Sequence, residues 1–293
     1  MRRRSVATLD LRPLSLGEIL DRSFALYRQH FLLFVGIAAI PQILVLAFTL
    51  AMLGTFVPFF AAVAAARGGA APVLPPMAAL GPILGIGFVA FIVLVVIGLL
   101  AQGATVSAVA DFYLGRTTTI RDSFRNARGK VLALSGVGIL SGLAAAVGFI
   151  LLIFPGFYII CRLLAAVPVA IVENQGSSAA LQRSFALSKG KAGRAFLILL
   201  LYVMILYATI LLFTMPLNIL AAVAGRDTSM ALFSLALSQI GSSVASVVVT
   251  PILMICVSVF YFDLRVRREA FDLQMMLHAA AAPAAGGTAG VLS

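Results

Sequence analysis

The stretch VLALSGVGILSGLAAAVGFILLIFPGFYIICRLLAAVPVAIV, residues 131–172, decides the fold. It carries a single charge, Arg162. As one helix it would be about 63 Å long at a rise of ~1.5 Å per residue, twice the ~30 Å hydrocarbon core of a bilayer. Pro155-Gly156 interrupts it near the middle, and such a pair marks a turn because proline lacks a backbone donor and glycine frees the chain. The stretch therefore reads as two spans, near 132–154 and 157–173, forming a hairpin that turns at Pro155-Gly156.

Working outward, charge-free runs at 31–66, 68–110, 195–225 and 228–262 supply further spans, near 32–54, 81–109, 195–215 and 240–262. The expected fold is all-α: a polytopic bundle of about six transmembrane helices within residues 15–277. An amino-terminal cytoplasmic segment, 1–14, precedes it. A low-complexity tail, 278–293, follows, and its Ala, Pro and Gly content predicts disorder. The outer stretch 55–80 reads as a re-entrant or surface-lying loop, with Phe59 and Phe60 as interfacial anchors. Composition agrees. The 293 residues are 62% hydrophobic and 11% charged, against roughly 25% charged in a soluble domain, so the surface must face lipid.

The net charge of +11 would suggest nucleic acid in a soluble protein, but the positions of the charges exclude it. Of 21 Lys and Arg, all except Arg67, Arg162 and Arg226 fall in short segments between apolar runs. That is the distribution of the positive-inside rule. Six spans put Arg67 and Arg226 outside and every basic cluster, with both termini, in the cytoplasm; five or seven would expel a cluster. Met1-Arg2-Arg3-Arg4 does not open a cleavable signal peptide, because Asp10, Glu18 and Asp21 precede the first apolar run. Cys161 and Cys256 lie in apolar stretches and read as packing residues.

A threefold repeat is the most informative local feature. Arg22-Ser23-Phe24-Ala25-Leu26 recurs identically as Arg183-Ser184-Phe185-Ala186-Leu187, and more weakly as Asp122-Ser123-Phe124. Each copy stands just before a span among basic residues. Pro155 follows Phe124, and Pro216 follows Phe185, by the same interval. Each unit reads as a short amphipathic helix leading into a transmembrane hairpin, with Phe24, Phe124 and Phe185 as anchors. Leu16, Ile19, Leu20, Phe24 and Tyr27 share one face of the first such helix. Ser15 and Glu18 have capping-box spacing; Thr118 or Thr119, and Ser177 or Ser178, are candidate caps for the other two. Such helices are expected to lie along the membrane, apolar face in the acyl boundary and cations near anionic headgroups.

Chemistry-bearing residues are few. No HExxH, GxSxG, phosphate-cradling loop or Cys/His metal spacing occurs, so no catalytic, metal or cofactor site is expected. Asp111, Glu173 and Asp263 stand at the cytoplasmic end of the second span of each unit, where the helix dipole opposes a carboxylate and calls for a cation nearby. Arg116, Arg183, Arg265, Arg267 and Arg268 are candidate partners. The acids read as clamps between span and surface helix, or as a proton or cation relay. Arg162 is the one charge well inside a span, and such a charge is a functional candidate by default. It either snorkels or pairs structurally, or it lines a substrate or lipid site.

Several segments carry a family resemblance: Leu11-Arg12-Pro13-Leu14-Ser15-Leu16-Gly17-Glu18-Ile19-Leu20-Asp21; Phe154-Pro155-Gly156 with Arg162, Pro168, Glu173 and Ala180-Leu181-Gln182-Arg183-Ser184; and the closing Tyr261-Phe262-Asp263-Leu264-Arg265-Val266-Arg267-Arg268-Glu269. Together they resemble the prokaryotic membrane-domain family named after membrane-linked glycerophosphoryl diester phosphodiesterases. The resemblance implies a polytopic helical domain in a prokaryotic cytoplasmic membrane. It implies no catalysis, since the phosphodiesterase barrel is absent from this chain. The family often has Trp where Phe185 stands, which keeps the aromatic ring and loses its N–H donor. The expected function is a non-enzymatic domain that organises membrane lipid or a membrane protein partner. The alternatives are a small transporter with a path near Arg162, and the membrane subunit of a separately encoded lipid-metabolising enzyme.

Overall fold

A computed structural model describes residues 14–67, 77–223 and 228–281 of the chain. The segment before Leu14, residues 68–76, residues 224–227 with Arg226, the residues beyond Ala281 and the side chains of Phe59 and Phe60 lie outside the described residues. Among those described, all regular structure is helical: α1 (Leu16–Gln29), α2 (Phe31–Arg67), α3 (Met77–Tyr113), α4 (Ile120–Arg128), α5 (Val131–Leu151), α6 (Ile153–Leu163), α7 (Ala166–Val172), α8 (Ser177–Leu187), α9 (Ala192–Val223) and α10 (Thr228–Ala281).

Six segments are long and apolar enough to cross a membrane: Phe31–Gly54, Leu84–Tyr113, Val131–Leu151, Ile153–Val172, Ala192–Ile219 and Phe233–Glu269. The chain is a multi-pass helical membrane protein. Helix continues through 55–67 and 77–80, where a loop was expected. The alanines there are strong helix formers. At the other end, α10 continues to Ala281, into the stretch expected to be disordered.

The turn of the central hairpin lies three residues earlier than Pro155 suggests. Leu152 is the one extended residue between α5 and α6, with φ −170° and ψ 156°. Pro155 then falls in the first turn of α6, where the missing N–H has no partner to lose. The Leu152 N–H closes α5 on the Gly148 carbonyl at 3.1 Å. Beyond the turn the two backbones touch: a Cβ on Gly148 would lie 2.9 Å from the Gly156 Cα, closer than any real contact. Phe149 packs edge-on against Phe157 just above.

Helix α10 is the spine, touching α1, α2, α3, α7, α8 and α9. Its buried face includes Ile255, Cys256, Val259, Phe260, Tyr261 and Leu264. These lie toward the end of the bundle where the basic segments gather, and the core sits there. At the opposite end the apolar side chains stay exposed, among them Leu84, Ile86, Phe88, Leu143, Ile150 and Leu212. Without a membrane this surface would be untenable; within one it is the lipid contact.

The short helices depart from expectation in one respect. Their buried faces meet protein, not acyl chains. α1 runs antiparallel along α10: the Leu14 N–H reaches Asp263 at 2.7 Å, and the Tyr27 hydroxyl donates to the Val248 carbonyl at 2.7 Å. Val248 lies within one turn of Pro251, so the hydroxyl binds α10 beside its proline. α4 packs on α3, and α8 on α5 and α7. The cause is small side chains. Ser23, Ser123 and Ser184, the second residue of each copy of the repeated motif, are wholly buried, while Phe24, Phe124 and Phe185 are only half-buried. The serine, not the phenylalanine beside it, is the wholly buried residue of the motif.

Caps fix where these helices start. Ser15 and Glu18 form a reciprocal capping box, and Thr119 caps α4 through the Asp122 N–H at 3.2 Å. α8 has no side-chain cap. Ser177 instead donates to the Ala133 carbonyl at 3.1 Å, pinning α8 to α5.

Candidate functional site

Three arrangements hold the chemistry-bearing residues. The first centres on Asp263, whose side chain has no exposed surface. Arg267, one turn on along α10, reaches it at 2.9 Å, and Arg194 at the start of α9 at 3.1 Å. Both arginines also donate to the Leu14 carbonyl at 2.6 Å, while the Leu14 N–H donates to the carboxylate. A buried carboxylate is tolerated only when paired and hydrogen-bonded, and here both conditions hold. The cluster ties α9, α10 and the entry to α1 together. Arg267 had been a candidate partner; Arg194 had not, because its proximity to residue 263 is purely tertiary.

The second centres on Glu173, the C-cap of α7. Arg183 of α8 binds it at 3.1 Å, the Tyr261 hydroxyl of α10 donates to it at 2.9 Å, and Gln175 donates at 3.2 Å. Arg183 continues to Glu269 at 2.8 Å, which Arg265 also holds at 2.7 Å. Asn174 adopts φ 54°, the left-handed conformation that asparagine tolerates, and so turns the chain from α7 toward α8.

The third centres on Arg162, near the carboxyl end of α6. Its Nε donates to the Ser188 hydroxyl at 3.0 Å, one terminal nitrogen to the Tyr158 hydroxyl at 2.6 Å, and the other to the Phe185 carbonyl. The guanidinium also lies 4.9 Å from the Phe185 ring centre and 5.5 Å from that of Tyr158. In return the Arg162 carbonyl, left over where α6 ends, accepts from the Ser184 and Ser188 hydroxyls at 2.8 and 3.0 Å. Arg162 stands midway along the span Ile153–Val172, as the sequence has it, and packs against the last turn of α8, whose carbonyls carry the negative end of the helix dipole.

Asp111 stands apart at the end of α3. Its carbonyl accepts from the Leu114 and Arg116 N–H groups, and among the described residues its carboxylate has no ion-pair partner. No hydrogen bond or ion pair among the described residues joins Asp111, Glu173, Asp263 and Arg162 into one chain of groups. Nor do the described residues hold a cluster of metal-ligating side chains.

While Glu173 and Asp263 are engaged inward, many cations are not. Arg28, Arg116, Arg121, Arg125, Arg128, Lys189 and Arg268 are exposed, all at the end of the bundle where the core sits. Asp122 pairs with Arg125 at 2.8 Å, but that pair is solvent-exposed and weak. Two groups at this end titrate abnormally. Lys130 donates to the Ile171 carbonyl, and burial pulls its pKa down. His30, in the break between α1 and α2, stacks on Phe112 with ring centres 3.8 Å apart, and burial pulls its pKa below the usual 6.5.

A further feature escaped the sequence reading. A cavity of about 210 Å³ lies between α2, α3 and α10, lined by Gln42, Gln102, Thr105, Ser246 and Thr250 among apolar residues including Pro41 and Pro251. Arg162 does not line it. The available signal was the isolation of Gln42 and Gln102, each the only amide side chain in a long charge-free run. Set against known proteins, the chain matches no family model, no curated protein and no solved structure.

Proposed function

We propose that the protein is a non-enzymatic organiser of membrane lipid, whose basic end faces the cytoplasm of a prokaryotic cell and gathers anionic phospholipid headgroups. One observation carries this reading: the carboxylates of Glu173, Asp263 and Glu269 are taken up by internal pairs, whereas seven cations at the same end remain exposed. A lysine or arginine held near an anionic leaflet contributes about 1 kcal/mol. The four on and beside α4 (Arg116, Arg121, Arg125 and Arg128) would thus contribute roughly 4 kcal/mol. Transport by way of Arg162 finds no comparable support, because its guanidinium is engaged by Tyr158, Phe185 and Ser188.

The test is lipid selectivity. The protein is reconstituted in vesicles of phosphatidylcholine with graded phosphatidylglycerol, and the lipid in its first shell is read by spin-labelled lipids. Enrichment of phosphatidylglycerol that weakens with salt and is lost in Arg121→Gln/Arg125→Gln/Arg128→Gln supports the reading. A first shell that mirrors the bulk composition overturns it. Reporter fusions after residues 118 and 177 should report cytoplasm, and fusions after 70 and 228 the opposite side.

A further inference from the structure

The cavity between α2, α3 and α10 is unusual for the side chains it collects. None of its lining residues is charged, yet two amides and three hydroxyls point chemistry into a stretch of bundle otherwise built from Ala, Val, Leu, Pro and Met. A polar group removed from water without a partner costs several kcal/mol; of these five, the Gln102 amide and the Thr250 hydroxyl have no side-chain partner among the described residues, and both face the cavity.

Their hydrogen-bonding state says what kind. The Thr105 hydroxyl has given its proton to the Ala101 carbonyl at 2.9 Å, and the Ser246 hydroxyl to the Ser242 carbonyl at 2.9 Å. Both therefore offer the cavity lone pairs only. Gln42 makes one long contact to Ser243, 3.4 Å, from its amide nitrogen, leaving its carbonyl oxygen as an acceptor and its second N–H as a donor. Gln102 and Thr250 make no side-chain hydrogen bond to any described residue, and each can donate or accept. Acceptors outnumber donors. An anion would meet lone pairs, and a cation would find no carboxylate. The complementary molecule is neutral and rich in O–H donors. A water occupies about 30 Å³ of liquid, so the space suits a compact solute rather than a sugar chain. Pro41 and Pro251 stand on facing helices at the same place, and each interrupts its helix's hydrogen-bond ladder there.

We infer that this cavity is a binding site for a small uncharged polyol. The site is separate from the exposed cations, and its occupancy does not depend on anionic lipid.

Thr250→Cys reports on it. In nanodiscs, the rate of modification by a small neutral thiol reagent is measured against erythritol concentration. Wild type serves as the blank, since Cys161 and Cys256 are both buried. Erythritol should slow the reaction several-fold in a saturable way. The fully O-methylated analogue, which has the same skeleton and no donors, should not. Gln102→Leu placed beside Thr250→Cys should abolish the protection while leaving the elution volume and helical content unchanged. If Thr250→Cys does not fold, Ser246→Cys replaces it. The inference is overturned if the reagent never reaches either cysteine, if erythritol gives no protection, if the methylated analogue protects equally, or if protection survives Gln102→Leu.

Discussion

The α9–α10 hairpin and the α5–α6 hairpin solve the same problem in opposite ways. The first is closed by charge at its basic end, where Arg194 of α9 meets the buried Asp263 of α10. The second is closed by the absence of side chains at its far end, where Gly148 and Gly156 let two backbones touch. Their lengths differ accordingly. At ~1.5 Å per residue, the 21 residues of α5 reach about 31 Å, whereas the 32 of α9 reach about 48 Å. A long hairpin has helix to spare beyond the hydrocarbon and needs a tie only where it begins. A short one has no such room. Its turn is a single apolar residue, Leu152, flanked by Ile150 and Phe154 at 84% and 85% exposure. The lesson is that close backbone packing stands in for a polar loop when the chain is too short to make one.

The largest expected effect tests the charged closure. Asp263→Asn leaves Arg194 and Arg267 without their counter-charge and should cost about 3–5 kcal/mol, read as a fall in the midpoint of thermal unfolding in detergent. Adding Arg194→Gln should recover part of that loss, because the pair is coupled. A single mutant as stable as wild type would break the comparison. Next comes the glycine closure. Gly148→Leu forces the two backbones apart and should cost about 3 kcal/mol, the upper range for overpacking. Gly241→Ala in α10, where the new Cβ would meet the Phe213 Cβ at 3.3 Å, asks only for a small adjustment. It should change stability by less than about 1 kcal/mol. Equal effects at 148 and 241 would show that the α5–α6 contact is not special.

The smallest effect concerns α2–α3, a hairpin closed at its basic end by neither device. There Phe112 of α3 stacks on His30 and meets Phe34 edge-on. Because burial depresses the His30 pKa, both folded and unfolded states hold it neutral above pH 6.5 and stability is full there. As pH falls below 6.5 the unfolded chain takes up the proton first, so stability is lost until the depressed folded pKa is passed. A shallow decline confined to that window, and missing in His30→Phe, is the expected titration of the unfolding midpoint. A decline that persists in His30→Phe would assign it to another group.

The six spans, the basic ends and the capping box at Ser15 were legible because each follows from a residue's own solvation or from neighbours within one turn. Hydropathy needs no partner. What sequence missed is pairwise. Pro155 marked the hairpin correctly but displaced its turn, since proline is tolerated three residues into a helix and so does not itself mark the bend. The phenylalanines of the repeated motif drew attention by size, yet Ser23, Ser123 and Ser184 take the buried position because they admit a neighbouring helix. Arg194 and the amides of the cavity acquire meaning only when α1, α2, α3, α9 and α10 are brought together.

The short α5–α6 hairpin has a consequence for the surrounding bilayer. Its apolar length roughly equals one hydrocarbon thickness, while α9 beside it exceeds that thickness. Lipids on the two flanks of the protein therefore meet different hydrophobic heights. The bilayer must thicken along α9 or α9 must tilt, at a cost of a fraction of a kcal/mol per ångström of mismatch. Reconstituted into membranes of graded acyl length, the protein should show its highest unfolding temperature where the hydrocarbon is no thinner than the ~30 Å that α5 spans. Hydrophobic mismatch, rather than any polar contact, would then decide which membrane region the chain prefers.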